Sequence, residues 1–468
     1  MGSPKMIQAL INVFKIPELR NKILFTLGLL VVYRIGFWIP VPGVNQEVVK
    51  SAFEKMGDSS AAGRAAGFVA IFSGGSFHQS TIFGLGIMPY ISASIIFQLI
   101  TAVSPKLKKL QDEGPTGRQK ITEWTRYATV ILCVFQAVGF LTFIKAQNMV
   151  YPQWAGSELW WAMAVFTLTA GTIFLMWLGE QIDRYGIGNG VSMIIMAGIL
   201  TGMPRAIGLV SQNWGPGQPG KLGMMSVLML VGGFVLVVAG SVILTVAQRR
   251  IPVQQAKHTR GRRVYGGQKS YLPLRVNHSG VMPVIFSSSL MIFPSVIFKG
   301  LADSAHSNGM AQWWQNLVEW MAREFAHGQF PYLMCELVLI YFFSYFWITV
   351  QFNPDDMSKQ LRDHGSFIPG LRPGPRTAEY LETVMTRITF VGAAMLAVIA
   401  LLPMVVNTAM NVDYQVTQFL GGTGLLIVVS VALDFVQRVE ANLLMRNYAG
   451  FLGGSDDGKG PRIRGPRS

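Results

Sequence analysis

A chain of 468 residues in which 51% are hydrophobic and only 13% charged lies outside the balance of soluble domains, where about a quarter of residues are charged. Its net charge of +15 would suit a nucleic-acid partner. The basic residues, however, are gathered in loops between apolar runs, which is the pattern of cytoplasmic loops in membrane proteins, and this composition leaves no room for a soluble catalytic domain.

Residues 1–22 are polar and basic, and no small-residue cleavage site follows the first apolar run. They predict a cytosolic amphipathic leader to a retained helix rather than a removed signal peptide. A helix needs roughly 20 apolar residues to cross about 30 Å of hydrocarbon. Runs of near that length predict spanning segments at 23–39, 81–103, 127–144, 159–178, 187–204, 222–247, 279–298, 330–350, 388–406 and 419–437. Between the first two lies a shorter run, Ala65, Ala66, Gly67, Phe68, Val69, Ala70, Ile71 and Phe72, followed by Ser73-Gly74-Gly75. It is too short to cross, so it predicts a re-entrant, interfacial or tucked segment, with an ordinary surface loop as the alternative.

The second segment carries Pro89 for kinking, and Ser92, Ser94 and Gln98 for polarity without charge. The seventh repeats the theme with Pro283, Ser287, Ser288, Ser289 and Pro294. Such helices suit either an interior path or routine close packing. Gly186-Ile187-Gly188-Asn189-Gly190 is similar to a glycine-rich nucleotide loop. It lacks the preceding strand and soluble βαβ unit that the dinucleotide fingerprint requires, so it reads as a flexible connection. Two long loops, 249–278 and 351–387, hold Pro, Gly and charge and predict folded projections. Their basic character asks for an acidic or phosphate-bearing partner, or for anionic lipid.

Few ionisable groups enter the segments: Arg34 well inside the first, Glu336 in the eighth and Asp434 near the end of the tenth. A proton-coupled carrier, which keeps charges in the membrane for its relay, is disfavoured. Cys133 and Cys335 sit alone in apolar runs and give no disulfide or metal signal, and the histidines are isolated. There is no Walker motif, so nucleotide hydrolysis by the chain itself is not expected. Counting loops alternately gives 30 Lys or Arg on one side and 8 on the other, with Arg34 inside a segment, which predicts both termini in the cytosol.

Several ordered motifs carry a resemblance over about Pro17 to Phe451. They are Gly84 to Leu99; Trp177-Leu178-Gly179-Glu180-Gln181-Ile182-Asp183-Arg184-Tyr185-Gly186-Ile187-Gly188-Asn189-Gly190; Arg250-Ile251-Pro252-Val253-Gln254 with Leu272 to Asn277 and Gly280-Val281-Met282-Pro283; Phe352-Asn353-Pro354 through Phe367 to Gly374; and Gly421 to Ile427 with Arg446-Asn447-Tyr448. The chain resembles the SecY/Sec61-alpha family of protein-conducting channels. The resemblance implies an all-α multispanning membrane protein with ten transmembrane helices in two inverted five-helix halves around an hourglass pore. The halves would be 23–204 and 222–437, joined by an external connection at 205–221 and followed by a basic cytosolic tail at 438–468.

By motif position the resemblance further implies a pore constriction of Ile87, Ile91, Val191, Ile195, Ile285 and Ile427, and a short plug helix at 65–75 that includes Ala65 to Phe72. Ser92, Ser94, Gln98, Pro283, Ser287 and Ser288 would belong to a lateral gate, and Arg249, Arg250, Arg260 and Arg372 to a docking surface for the SecA motor ATPase and the ribosome with its RNA. Other implied partners are SecE and SecG subunits, signal sequences and nascent chains, anionic phospholipids and, further out, YidC and the SecDF complex. No cofactor and no enzymatic activity are implied; the activity would be passive conduction of unfolded polypeptides across a bacterial cytoplasmic membrane, with lateral release of apolar segments. Val191 is smaller than the family's usual residue, Asp183 and Tyr185 alter the pattern around the fourth-to-fifth loop, and the external loop at 299–329 is long and rich in Trp. The rival readings from other classes are a small-solute carrier, which would need a compact mid-membrane site, and a membrane enzyme.

Overall fold

The computed structural model describes residues 16–49, 51, 80–146, 148–154, 156–215, 223–255, 258–260, 263–265, 269–307, 311–325, 329–410 and 423–452. The expected plug, Ala65 to Phe72, lies outside the described residues. In chain order the first half contains α1 (Pro17–Ile35), α2 (Met88–Val103), α3 (Pro105–Asp112), α4 (Pro115–Ala146), α5 (Glu158–Tyr185) and α6 (Gly190–Asn213). The second half begins with α7 (Met224–Val246), followed by β1 (Gln248–Gln255), β2 (His258–Arg260), β3 (Arg263–Tyr265) and β4 (Lys269–Arg275). It continues through α8 (Met282–Ser307), α9 (Gln312–Glu324), α10 (Phe330–Gln351), α11 (Pro354–Asp363), β5 (Ser366–Phe367), α12 (Pro375–Met410) and α13 (Thr423–Leu452).

Seven of the described helices are long and apolar enough to cross a membrane: α1, α4, α5, α6, α7, α10 and α12. The bent pair α2 and α3, which turns by 105° at Ser104, adds an eighth. Helices α8 and α13 run for 26 and 30 residues over the seventh and tenth apolar segments. Hydroxyls inside these helices turn back onto their own backbone, as in Thr129 Oγ1 to Thr125 O at 2.7 Å and Thr389 Oγ1 to Met385 O at 2.8 Å. In hydrocarbon no water would satisfy them, so the i−4 carbonyl does.

Two of the sequence-derived boundaries change in an informative way. Helix α2 starts at Met88 rather than at 81, because residues 81–87 form turns and Pro89 occupies the first helical turn, where its missing N–H costs nothing. Helix α1 ends at Ile35, which puts Arg34 in the last turn instead of well inside the segment. There its guanidinium lies 4.7 Å from the centre of the Phe37 ring, a contact that shields the charge at the helix end.

The packing order repeats between the halves. In the first, α2 packs on α4, α4 on α5, α5 on α6, and α1 on α5; in the second, α8 packs on α10, α10 on α12, α12 on α13, and α7 on α12. Each half has its own apolar core. One gathers Phe140, Leu141, Trp160 and Leu168 from α4 and α5, and the other gathers Val237, Ile340, Leu396 and Leu426 from α7, α10, α12 and α13. The halves meet where α6 packs along α13.

The two long loops between apolar segments form one body beside the helices. Strands β4, β1 and β5 make an antiparallel sheet in that order, with Ile251 opposite Leu272 and Gln254 opposite Phe367. Strand β5 comes from the second loop, so the sheet ties both projections together. Ile251, Val253 and Leu274 on the inner face pack with Ile368 and with Leu381, Val384 and Ile388 of α12. Alternating exposure along β1 follows from the two-residue period of a strand covered on one face.

Candidate functional site

Where the halves converge, all six residues of the expected constriction meet. Ile87, Ile91, Ile195, Ile285 and Ile427 are buried in a single cluster, and Val191 packs against it half-buried. They arrive from α2 and the turn before it, from α6, from α8 and from α13, so no one helix supplies the ring. The cluster rests on Phe83, Leu175, Leu178 and Ile182 and continues to Tyr33 and Phe37 of the first half. The six are aliphatic side chains that meet from four directions, with no side-chain polar atom among them.

The connection that delivers Val191 and Ile195 explains the glycine-rich motif. Asp183 Oδ1 accepts from the Gly190 N–H at 2.7 Å, and Asn189 Oδ1 accepts from the Ser192 N–H at 3.0 Å, so two side chains cap the start of α6. Gly188 has φ +103, and a Cβ on Gly190 would stand 1.9 Å from the Gly179 carbonyl oxygen. The close approach of α5 and α6 therefore requires glycine at 190. Glu180 of the same motif pairs with Arg126 of α4 at 2.7 Å.

Beside the cluster, towards the β1–β4 end of the helices, lies a groove of about 1040 Å³ between α2 and α4 on one wall and the residues opening α8, with α10, on the other. Ser94 and Gln98 line it, and Gln98 Nε2 donates to Ser94 Oγ at 3.1 Å. Ser92 is half-buried on α2 and is not among the described residues that line the groove. Opposite stand His278, Ser279, Gly280 and Met282, while Lys108 and Arg118 line the same groove. Burial first, then the Arg275 charge, lowers the His278 pKa from its ordinary value, because both disfavour the imidazolium. Lys108 and Arg118 line this groove without having been singled out from the sequence; their place in the basic loop that follows the second apolar run was the available signal.

The seventh-segment residues divide. Pro283 is buried in the first turn of α8, next to the cluster residue Ile285. Ser287 and Ser288, expected in the gate, are bonded to α10: Ser287 Oγ donates to the Glu336 carbonyl oxygen at 3.0 Å and Ser288 Oγ to Glu336 Oε1 at 3.2 Å. Glu336 is 3% exposed, and its other carboxyl oxygen has no hydrogen-bond partner. A buried carboxyl group that loses its one side-chain donor bears its full desolvation cost, about 1–3 kcal/mol, whereas a helix carbonyl keeps its own N–H. Ser288→Ala should therefore lower the unfolding free energy in detergent micelles by about 1–3 kcal/mol, and Ser287→Ala by less. Equal losses in denaturant titrations would show that the carboxyl contact is not the tie between α8 and α10.

On the sheet, Arg249 and Arg250 are exposed on β1, opposite Leu274 and Pro273. Arg260 sits in β2 across from Arg263. Arg372 is exposed on the turn between β5 and α12. That turn is held by its backbone: Leu371 N–H donates to Ile368 O at 3.0 Å, Thr377 Oγ1 to Arg372 O at 2.9 Å, and Ser358 Oγ to Gly374 O at 2.8 Å. The side chain of Arg372 takes no part in those three bonds and is presented outward on a fixed support.

The SecY family model matches residues 81–436, which includes the constriction, the groove and both projections. The protein translocase subunit SecY of Streptomyces griseus is 42% identical over 455 residues, covering 96% of this chain and 100% of that one. Its counterpart in Chlamydia trachomatis is 41% identical over 94% of this chain and 97% of the relative, and that of Thermotoga maritima is 39% identical over 99% and 100%. Among solved structures, a protein conducting channel shares the fold at a TM-score of 0.57 and 17% identity, covering 92% of this chain and 94% of that one. A second likeness, at a TM-score of 0.56 and 17% identity over the same shares, is to a SecY protein whose plug domain stabilises the closed state of the translocation channel and maintains a membrane seal. The chain is a member of the SecY family.

Proposed function

We infer that the chain is the protein-conducting channel of a bacterial membrane translocon, a passive pore and not an enzyme. The observation that carries this is the convergence of Ile87, Ile91, Val191, Ile195, Ile285 and Ile427 from both halves into one apolar contact. A ring of flexible hydrocarbon can close around chemically varied residues of a moving polypeptide while remaining poor in ion ligands. A small-solute carrier would need coordinating groups at that level, and the six converging side chains carry none.

The repeated packing order supports a division into ten crossings in two halves of five, and an odd number of crossings per unit makes the second copy inverted. The excess of Lys and Arg in the even-numbered loops and both ends supports cytosolic termini. The groove flanked by α2 and the start of α8 suits a lateral exit, because an apolar segment of about 20 residues gains by leaving a wet pore for hydrocarbon. Ser94, Gln98 and the opening of α8 are its walls in this reading, and Ala65 to Phe72 is the plug that blocks the external half of the resting pore. Arg249, Arg250, Arg260 and Arg372 face the motor ATPase or the ribosome, whose RNA phosphates a basic surface attracts. SecE and SecG subunits, nascent chains and anionic lipid complete the expected partners.

Reconstitution tests the reading. The chain in vesicles with its channel subunits and motor should carry a signal-bearing precursor into a protease-protected lumen only when ATP is supplied. Failure of wild-type protein to support any partner-dependent polypeptide movement would overturn it.

A further inference from the structure

The Trp-rich connection after the seventh segment is a helix, α9, with three distinct faces. Trp314, Val318, Met321 and Phe325, at spacings of three and four, turn inward; Val318 is buried and the Phe325 ring packs 5.0 Å from that of Phe298 on α8. Gln315 Nε2 adds a bond to the Ala305 carbonyl at 3.2 Å. The polar residues Gln312, Glu319 and Arg323 share a second face. The third face is apolar and uncovered in the chain: Trp313 is 69% exposed, Leu317 42% and Trp320 53%.

We propose that α9 lies in the plane of the membrane interface and anchors the end of α8 distant from β4 to lipid. Three observations converge on lipid as the occupant of the uncovered face. Helix α8 begins beside β4 and ends beside α9, so α9 sits across the hydrocarbon from the sheet. Helix α9 packs against α10, whose Phe330, Met334, Val338 and Phe342 are exposed at every fourth position and form an apolar stripe on the neighbouring helix. Two of the three residues on the uncovered face of α9 are Trp, the side chain that settles at the headgroup boundary, and the polar face beside it gives the pattern of a helix lying in the interface. Since α9 is fixed to α8 by Phe298, Phe325 and the Gln315 bond, any tilt of α8 must drag α9 along or through the interface. This gives the helix that bears Ile285 a purchase on the bilayer.

Single cysteines at Leu317→Cys and Glu319→Cys, in full-length chain with Cys133 and Cys335 replaced by Ala, test the placement. Each is labelled with an environment-sensitive fluorophore in vesicles of phosphatidylcholine and phosphatidylglycerol. Quenching is measured with a lipid bearing a nitroxide near the top of its acyl chain and with iodide on both sides of the membrane. The 317 label should be quenched by the lipid and protected from iodide, the 319 label the reverse, so the ratio of the two quenchings should differ several-fold between the sites. Equal iodide access at both sites would place this face in water, and protection of the 317 label from both quenchers would mean that a second copy or another subunit covers it; either result overturns the proposal.

Discussion

Ile91→Ser and Ile427→Ser, singly and more strongly together, should make the resting channel conduct ions where the wild type does not. Both side chains are buried in the cluster that joins the halves, one from α2 and one from α13. Each exchange removes hydrocarbon from the contact and places a hydroxyl where an ion would have had no ligand. A hydrogen bond or ligand contact to a charged group is worth about 1.5–3 kcal/mol. Lowering the barrier by about 1.4 kcal/mol raises the rate tenfold, so each serine should raise single-channel leak by about tenfold or more. Conductance across planar bilayers, or halide entry into vesicles, reads this directly. Ile→Leu at the same positions keeps the hydrocarbon and should stay tight.

The cost to stability needs its own control, because removing buried aliphatic carbon destabilises by about 2–5 kcal/mol wherever it occurs. Leu396→Ser, in the second-half core made by α7, α10, α12 and α13, should lose comparable stability and leak no more than wild type. Leakage from that variant equal to the constriction variants would mean that any loosened core opens the pore, and that the isoleucine cluster has no special place in the seal.

How far these residues could be read from sequence depends on what kind of force placed them. The apolar segments were legible because hydrocarbon imposes a length: described helices lie over all ten runs, seven of them long and apolar enough to cross and an eighth as a bent pair. Their ends were less legible. Helix α4 begins at Pro115, not 127, and α12 at Pro375, not 388. Hydropathy marks where lipid stops, whereas the backbone hydrogen-bond ladder continues into water through residues such as Arg118 and Glu379. The residues of the expected constriction could be singled out only through family resemblance, since an isoleucine on a lipid-facing stripe and one in a seal have the same hydropathy. Ser287 and Ser288 show the limit most plainly. Their polarity suggested a path, but both hydroxyls are taken by Glu336, Ser287 by its backbone carbonyl and Ser288 by its carboxyl group, 49 and 48 positions away, a distance that no local pattern spans. The sheet was half legible: the turn formers were visible, but the pairing of β1 with β5 joins residues more than a hundred positions apart.

Arg372→Glu should abolish most motor-driven export while leaving the channel folded and sealed. The structural half of this expectation follows from the turn. Thr377 bonds the Arg372 carbonyl oxygen, and neighbouring bonds run through Leu371, Ile368, Ser358 and Gly374. Reversing an exposed side-chain charge disturbs none of them, so thermal unfolding in detergent should be unchanged within about 0.5 kcal/mol. The functional half follows from electrostatics at a contact surface. Arg249 and Arg250 are exposed on β1 of the sheet that β5, just ahead of the Arg372 turn, completes, and an acidic or phosphate-bearing partner would be drawn to this face. Replacing a desolvated interfacial charge removes its pairing and leaves the partner's charge unpaired, at a cost of about 2–5 kcal/mol. That corresponds to an affinity loss of roughly thirtyfold to several thousandfold. Export measured at rising motor concentration separates the possibilities. A docking role raises the motor concentration needed for half-maximal rate and restores much of the rate at saturation. A conduction role lowers the rate at every concentration. Arg323→Glu, on α9 across the membrane from the sheet, should leave export unchanged. If Arg372→Glu exports as wild type does over the whole range, the partner docks elsewhere on the basic face, and Arg249 and Arg250 on β1 become the residues to reverse next.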